Sequence, residues 1–518
     1  MPRPDMTSNK LSGISRRNVL AGTAAAAAAG LVGVSSSRAA TPRKGGHLKF
    51  GLEGGTQDGV LDPGTYSTQF VQNIGYMWGN SLIEIDGKGL LVPELALEWL
   101  PDAGAKAWIF KLRKDVRFHN GKTMTADDVV YSLNHHRKPD SKSLARGIFR
   151  GVTDIKASGP LEVTITLEAP NIDLPGLMAD YHLLIMPEGG NPNAGIGTGP
   201  YIIERFEPGV LCQGKRNTNY WKTDRAHVDT VEVLAINDLV ARQSALQGGL
   251  VHFISRPDPK LAPIIRANPA FTWMDLPGAQ HYVFPMRCDV EPFNNKDLRL
   301  AMKYAIDRQD LLTRIFSGLG QIGNDHPVPT FDPMFSAAVP QRSYDPDKAK
   351  FHFQKSGLTG PVNLYISDAA FTGATAAATL YKEHAAKASI NIEVNRMPAD
   401  GYWSDVWKKR SFTGNYWGGR VTAGLMLQAV YLSDSANNET FWKRPDFDKL
   451  LTQAQAELNV GRRKEMFHDL QMMVWEDGGA LLPLFANRLY ASTSKVEGLV
   501  RSPQFTAFRA AEQLYFTS

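Results

Sequence analysis

The chain has 518 residues, 43% of them hydrophobic, and carries 57 Lys and Arg against 52 Asp and Glu, for a formal charge of +5. Five basic side chains and one acid among residues 1–39 account for four of those five charges. The remainder is nearly neutral and has no long Lys/Arg run, which excludes a polybasic nucleic-acid or membrane-surface binder. The two cysteines, Cys212 and Cys288, are too few for the four thiolates of an iron–sulfur cluster. Their pairing is left open by sequence.

The first segment is a targeting signal. Ser15-Arg16-Arg17-Asn18-Val19-Leu20 precedes an apolar run from Ala21 to Val34, and Ser37-Arg38-Ala39 supplies small residues at a cleavage site. This order reads as a twin-arginine signal over residues 1–39, cut near Ala39, which sends the protein to the periplasm. The apolar run is too short and too rich in Ala and Gly to anchor in a bilayer. No cysteine stands at the cut to carry a lipid, so the exported protein is not membrane-embedded.

Beyond the signal, strands and helices mix. Leu48–Leu52, Ser81–Ile85, Trp108–Arg113 and Leu161–Leu167 read as strands, the last by strict alternation. Thr125 and Asp128 form a capping box for the helix that carries Val129, Val130 and Leu133. Tyr201–Ile203 and Val231–Ile236 are strands, and a helix from Leu239 to Gln247 stops at Gly248-Gly249. The stretch Ala279–Pro292 is read as a crossing between halves. Asn295 caps one long amphipathic helix that ends at Gly318. Helices at Asp446–Leu458 and Arg462–Glu476 precede a final strand at Leu481–Phe485.

Catalytic and cofactor motifs fail their context. Gly318-Leu319-Gly320-Gln321-Ile322-Gly323 matches G-x-G-x-x-G but follows a helix, whereas a dinucleotide site needs those glycines between a strand and a helix N-terminus. Gly121-Lys122-Thr123 lacks the earlier glycine of a phosphate loop, since Val116 stands there. His135-His136 has the wrong spacing for a helical metal site, and no H-E-x-x-H or G-x-S-x-G string occurs. His119, His281 and His326 are read as loop or core histidines. No catalytic residue, metal or cofactor is expected.

A resemblance runs through nearly the whole chain after the signal. It is carried by Pro93-Glu94-Leu95-Ala96-Leu97-Glu98-Trp99, Trp108 to Arg113, Val116-Arg117-Phe118-His119-Asn120-Gly121-Lys122 and Thr125-Ala126-Asp127-Asp128-Val129. Gly197-Thr198-Gly199-Pro200-Tyr201, Asn219-Tyr220-Trp221, Asp297 to Arg308 and Tyr344-Asp345-Pro346-Asp347-Lys348-Ala349 follow in order. These strings resemble the family 5 solute-binding proteins of ABC importers, which include peptide, nickel and opine receptors. The resemblance implies an α/β, two-lobed periplasmic-binding-protein type II fold with an extra α/β subdomain in the first lobe. Lobe 1 would comprise residues 40–85, 194–275 and 488–518, the subdomain 86–193, and lobe 2 residues 276–487. A monomer that closes on a small organic solute and delivers it to an inner-membrane ABC permease is implied. An exported hydrolase with a dispersed active site, and an interaction protein on the same scaffold, are the alternatives.

Peptide receptors of that family resemble one another in placing an acid in a second-lobe loop to meet the ligand's ammonium. The matching stretch here, Asn415-Tyr416-Trp417-Gly418-Gly419-Arg420, has no carboxylate and carries Arg420. A guanidinium there favours a carboxylate-bearing ligand, with Tyr416 and Trp417 as walls and Gly419 allowing close backbone approach. The competing reading pairs Arg420 with Asp434. Gly55 and Thr56 after the first strand, Tyr66, Arg287 beside the crossing, and His326 are further ligand candidates, because ligands sit at strand ends facing an inter-lobe crevice.

Overall fold

A computed structural model describes residues 42–102, 104–502 and 507–517. The signal assigned to residues 1–39 lies outside the described residues. Three larger sheets organise the rest.

The first lobe is built on a seven-stranded sheet. Its order is Phe271–Leu276, Arg488–Thr493, Phe253–Ser255, His47–Leu52, Thr230–Ala235, Leu211–Arg216, Tyr201–Glu207. His47–Leu52 runs parallel to both of its neighbours, and the remaining pairings are antiparallel. Leu48, Phe50 and Leu52 are buried in the core that also takes Tyr66 and Trp78. A four-stranded antiparallel subdomain sheet, ordered Ala96–Pro101, Ala107–Leu112, Glu162–Leu167, Val152–Gly159, packs under the helix Ala126–His135. The capping box forms as read: Thr125 accepts from the backbone of Asp128, whose carboxylate takes the Thr125 N–H at 2.8 Å.

The second lobe carries the antiparallel sheet Gly320–Ile322, Ala480–Ala486, His281–Pro285, Asn415–Trp417. Two expectations are corrected here. Of the stretch 279–292 only residues 279–280 belong to a crossing, because His281–Pro285 sits inside the second sheet with hydrogen-bonded partners on both sides. The single helix from Asn295 to Gly318 is two helices, Lys296–Tyr304 and Arg308–Phe316. Asp307 breaks it by accepting from the Asp310 N–H at 2.9 Å, so a side chain takes the place of a helical carbonyl and a new N-cap begins. Gly318, at φ +73°, does end the second helix, and Gly320 then enters a short strand.

The lobes are joined where the chain crosses twice. Residues 277–280 leave the strand Phe271–Leu276 for His281–Pro285, and Asn487 alone separates Ala480–Ala486 from Arg488–Thr493. The crossings touch: the Ala486 N–H donates to Gln280 O at 2.8 Å. A Cβ added at Gly278 would stand 2.6 Å from Ala486 O, so only glycine permits this approach.

Cys212 and Cys288 are free thiols, and burial pushes them up to about 12 and about 11. Among the described residues, no helix is long and apolar enough to cross a membrane.

The second lobe also encloses a cationic cluster. Asp325 binds Arg308 at 2.7 Å and Arg342 at 2.8 Å, all three being buried. Lys303 lies close by, fully enclosed, with its Nζ 3.4 Å from Trp475 O. Burial pushes its ammonium down to about 7, Arg342 and Arg299 adding repulsion that Asp325 opposes. Between pH 7 and the usual lysine value the unfolded chain therefore holds a proton that the folded chain lacks, so stability rises with pH across that window. Lys303→Met is expected to flatten this rise and to stabilise the protein most at or below pH 7. Urea unfolding at pH 6 and pH 9 measures it; equal effects at both pH values would contradict the assignment.

Candidate functional site

The candidate site grows from the end of the edge strand Asn415–Trp417. This strand is fixed by one buried carboxylate. Glu439 accepts from Trp407 Nε1 at 2.6 Å, Trp417 Nε1 at 2.7 Å and Asn415 Nδ2 at 2.6 Å. Burial raises its carboxyl above the ordinary glutamate value while the three donors favour the charged form. The chain then turns at Gly418 and Gly419. A Cβ on Gly419 would lie 2.5 Å from the Cβ of Ala279, so this glycine serves contact with the first crossing.

Arg420 comes next. Among the described residues its Nη1 reaches only its own neighbours, Gly418 O at 3.2 Å and Gly419 O at 3.4 Å. Its charge is felt on the first lobe. Burial pushes the Asp180 carboxyl up, but the His182 imidazole, by charge and hydrogen bond, and then Arg420 bring it below the ordinary range. No ion pair joins Arg420 to Asp434 among the described residues.

Arg420, Ala279, Pro327, Asp332, Thr422 and Met426 line a crevice of about 10 Å³. That is room for about one water molecule. Asp332, in its wall, is pushed by burial up to about 6, against a hydrogen bond from the Met334 N–H at 2.8 Å. His326, one residue before Pro327, is buried with neither ring nitrogen hydrogen-bonded, and burial pushes its imidazole down to about 4. His281 behaves alike, with Nδ1 3.1 Å from Ala279 O and a value near 4. Both rings are neutral at pH 7, so each offers one donor and one acceptor.

Of the expected residues only Arg420 lines this crevice; Gly419 and His326 are chain neighbours of its lining residues Arg420 and Pro327, and the other expected residues are dispersed. Trp417 is a core residue anchored by Glu439, and Tyr416 points to the opposite face, 45% exposed, with its ring 6.0 Å from Trp403. Adjacent strand residues face opposite ways, so the two do not wall one pocket. Tyr66 is fully buried, donating to Leu61 O at 2.8 Å and accepting from Trp78 Nε1 at 3.1 Å. Gly55 packs on Ala235, where a Cβ would stand 2.3 Å from that residue's Cβ, and Thr56 is exposed beside it. Arg287 is not at a crossing: it binds Asp289 at 2.7 Å, donates to Lys408 O at 3.1 Å and covers the Phe441 ring at 4.2 Å. Sequence reasoning missed Asp180, Asp332 and Glu439, which stand far apart along the chain in no recognisable spacing.

Comparison with known proteins agrees with this architecture. Residues 91–439 match the model of the bacterial extracellular solute-binding proteins, family 5 (middle region). The glutathione-binding protein GsiB of Pectobacterium atrosepticum is 23% identical over 458 residues, spanning 84% of this chain and 88% of that one. Among solved structures, the periplasmic binding protein DppA from Helicobacter pylori, in complex with the peptide STSA, aligns with a TM-score of 0.76 at 19% identity over 92% of this chain and 99% of its own. AgaA from A. tumefaciens R10, in complex with agropinic acid, gives 0.76 at 22% identity over 91% and 99%. The fold is thus that of a type II periplasmic binding protein.

The chain belongs to the family 5 bacterial extracellular solute-binding proteins. It is the substrate-binding component of an ABC importer, and the family favours that reading over the exported hydrolase.

Glu439→Ala strands three buried donors and is expected to lower stability by roughly 2–4 kcal/mol, while Glu439→Gln loses less. Thermal unfolding read by tryptophan emission checks this through Trp407 and Trp417. An alanine variant as stable as wild type would remove Glu439 as the anchor of the strand.

Proposed function

We propose that this receptor captures a small carboxylate-bearing organic solute between its lobes, with Arg420 as the anion clamp and His326 as a neutral hydrogen-bonding partner. One observation carries the reading. Arg420 lines a crevice at the end of the edge strand Asn415–Trp417, its charge is felt by Asp180 on the first lobe, and among the described residues it forms no ion pair with a carboxylate, whereas a guanidinium meets a carboxylate through two parallel N–H donors. A crevice that holds about one water must open to admit such a solute, and the paired crossings at 277–280 and 487 are where the chain can bend. The ligands named for the relatives, glutathione, a peptide and agropinic acid, are carboxylate-bearing molecules and support this class.

Isothermal titration with glutathione, a di- and tripeptide set and agropinic acid tests the class. For whichever binds, Arg420→Ala is expected to weaken affinity by about 100-fold, in line with a charged hydrogen-bonded pair, and Arg420→Lys by less. Undiminished affinity in the alanine variant removes the clamp.

Export by the twin-arginine route to the periplasm, as a monomer that docks on its permease, completes the proposal. Arg16→Lys with Arg17→Lys is expected to leave the chain uncleaved in the cytoplasm. Fractionation checks it, and periplasmic recovery of the double variant would point to another route.

A further inference from the structure

The second lobe also meets the subdomain just beyond Arg420, through Val421 and Thr422. Asp173 opens the short helix Leu174–Leu177 on the subdomain side. Arg463, from the second-lobe helix Val460–Asp477, forms an ion pair with one of its oxygens, and Thr422 Oγ1 lies 3.4 Å from the other. Their side chains are only 8% and 12% exposed. The backbones join as well, the Ile172 N–H donating to Gln455 O at 2.9 Å. Val421 is buried in the hydrophobic core of the subdomain beside Leu174 and Leu177. A Cβ on Gly424 would lie 2.5 Å from Asp173 Oδ2, so the second lobe seats its backbone directly on this carboxylate.

Arg463 is held for the task. Its Nε donates to Ala454 O at 3.2 Å and its guanidinium covers the Phe467 ring at 5.4 Å. Removing one member of a buried pair leaves the other charge enclosed and uncompensated, a far larger effect than loss of an exposed pair.

We propose that Asp173 and Arg463 form an inter-lobe lock that sets the fraction of closed receptor, and so tunes affinity, without touching the ligand. Apparent affinity scales with the fraction of protein in the competent state, so a lock that favours closure strengthens binding of any occupant. The inference needs closure alone and holds whichever solute the crevice takes.

The test uses the full mature chain without ligand. Amide hydrogen exchange at Ile172 reports closure directly, because its acceptor is on the other lobe. Arg463→Met and Asp173→Asn are each expected to speed exchange there by about ten-fold or more, while amides in the strands Ala107–Leu112 and Glu162–Leu167 keep wild-type rates. The radius of gyration from small-angle scattering should rise in both variants. Unchanged exchange at Ile172 overturns the lock. Acceleration spread equally through the subdomain strands also overturns it, since that marks a stabilising residue of the subdomain. Should Arg463→Met fail to fold, Arg463→Lys gives the graded version of the same readout. Loss of the Arg420 clamp would leave all these exchange rates as they are, so the two proposals fail separately.

Discussion

Two crossings of the backbone, bonded side by side through the Ala486 N–H and Gln280 O at 2.8 Å, are the constraint on which the rest depends. Each crossing joins a strand of the seven-stranded sheet to a strand of the four-stranded one. Residues 277–280 and Asn487 are the segments that link the two sheets, and hinges are a few such residues between packed elements. Gly278 lets the crossings lie in contact. They lie together as one strap.

The segment Gly418 to Gly424 runs between the first crossing and the subdomain. Gly419 rests on Ala279 at the first crossing, Arg420 reaches the crevice, and Val421 with Thr422 enters the contact with the subdomain. Seven consecutive residues thus touch hinge, crevice and opposite lobe. Their position is set from behind by Glu439, whose three donors come from Trp407, Trp417 and Asn415. Under the proposed function, a ligand held by Arg420 would act on the same short piece of chain that meets the subdomain, and its differential affinity for the closed form would shift the population.

Buried charge ties together distant segments inside each lobe. In the first lobe Arg509 binds Glu94 at 2.7 Å and Glu512 at 3.1 Å, while Lys222 reaches Glu84 at 2.8 Å and Glu512 at 3.0 Å. These partners tie the C-terminal helix Ala510–Gln513 to the subdomain across more than four hundred residues of chain. Asp325 with Arg308 and Arg342 does the same in the second lobe. Removing one partner from such a buried network leaves a charge uncompensated, so these networks resist distortion of the lobe interiors.

The residues that announce local structure did so correctly. Alternation marked Glu162–Leu167, the Thr125/Asp128 capping box marked its helix, and the helix Leu239–Gln247 was bounded by Gly248-Gly249, because these signals act within one turn or one strand. The break at Asp307 was also present in the string Asp307 to Asp310, but the amphipathic stripe running past it, from Leu298 through Leu312, concealed it. The order of motif strings was enough to identify a two-lobed receptor, since scaffold residues are spread along the whole chain.

The site itself was only half legible. Arg420 stood out by chemistry, for a cation replaces the expected acid in a recognisable loop. Tyr66 and Arg287 were chosen by nearness to strand ends and a crossing, yet Tyr66 is sealed in the first core and Arg287 is spent on Asp289. Trp417 and Tyr416 part company because a strand turns neighbours to opposite faces. What a residue is made of, and what its next four neighbours do, is written in the chain. Which side chains end buried and which face the crevice depend on how two sheets pack and where the chain crosses between them, and only the tertiary structure decides that.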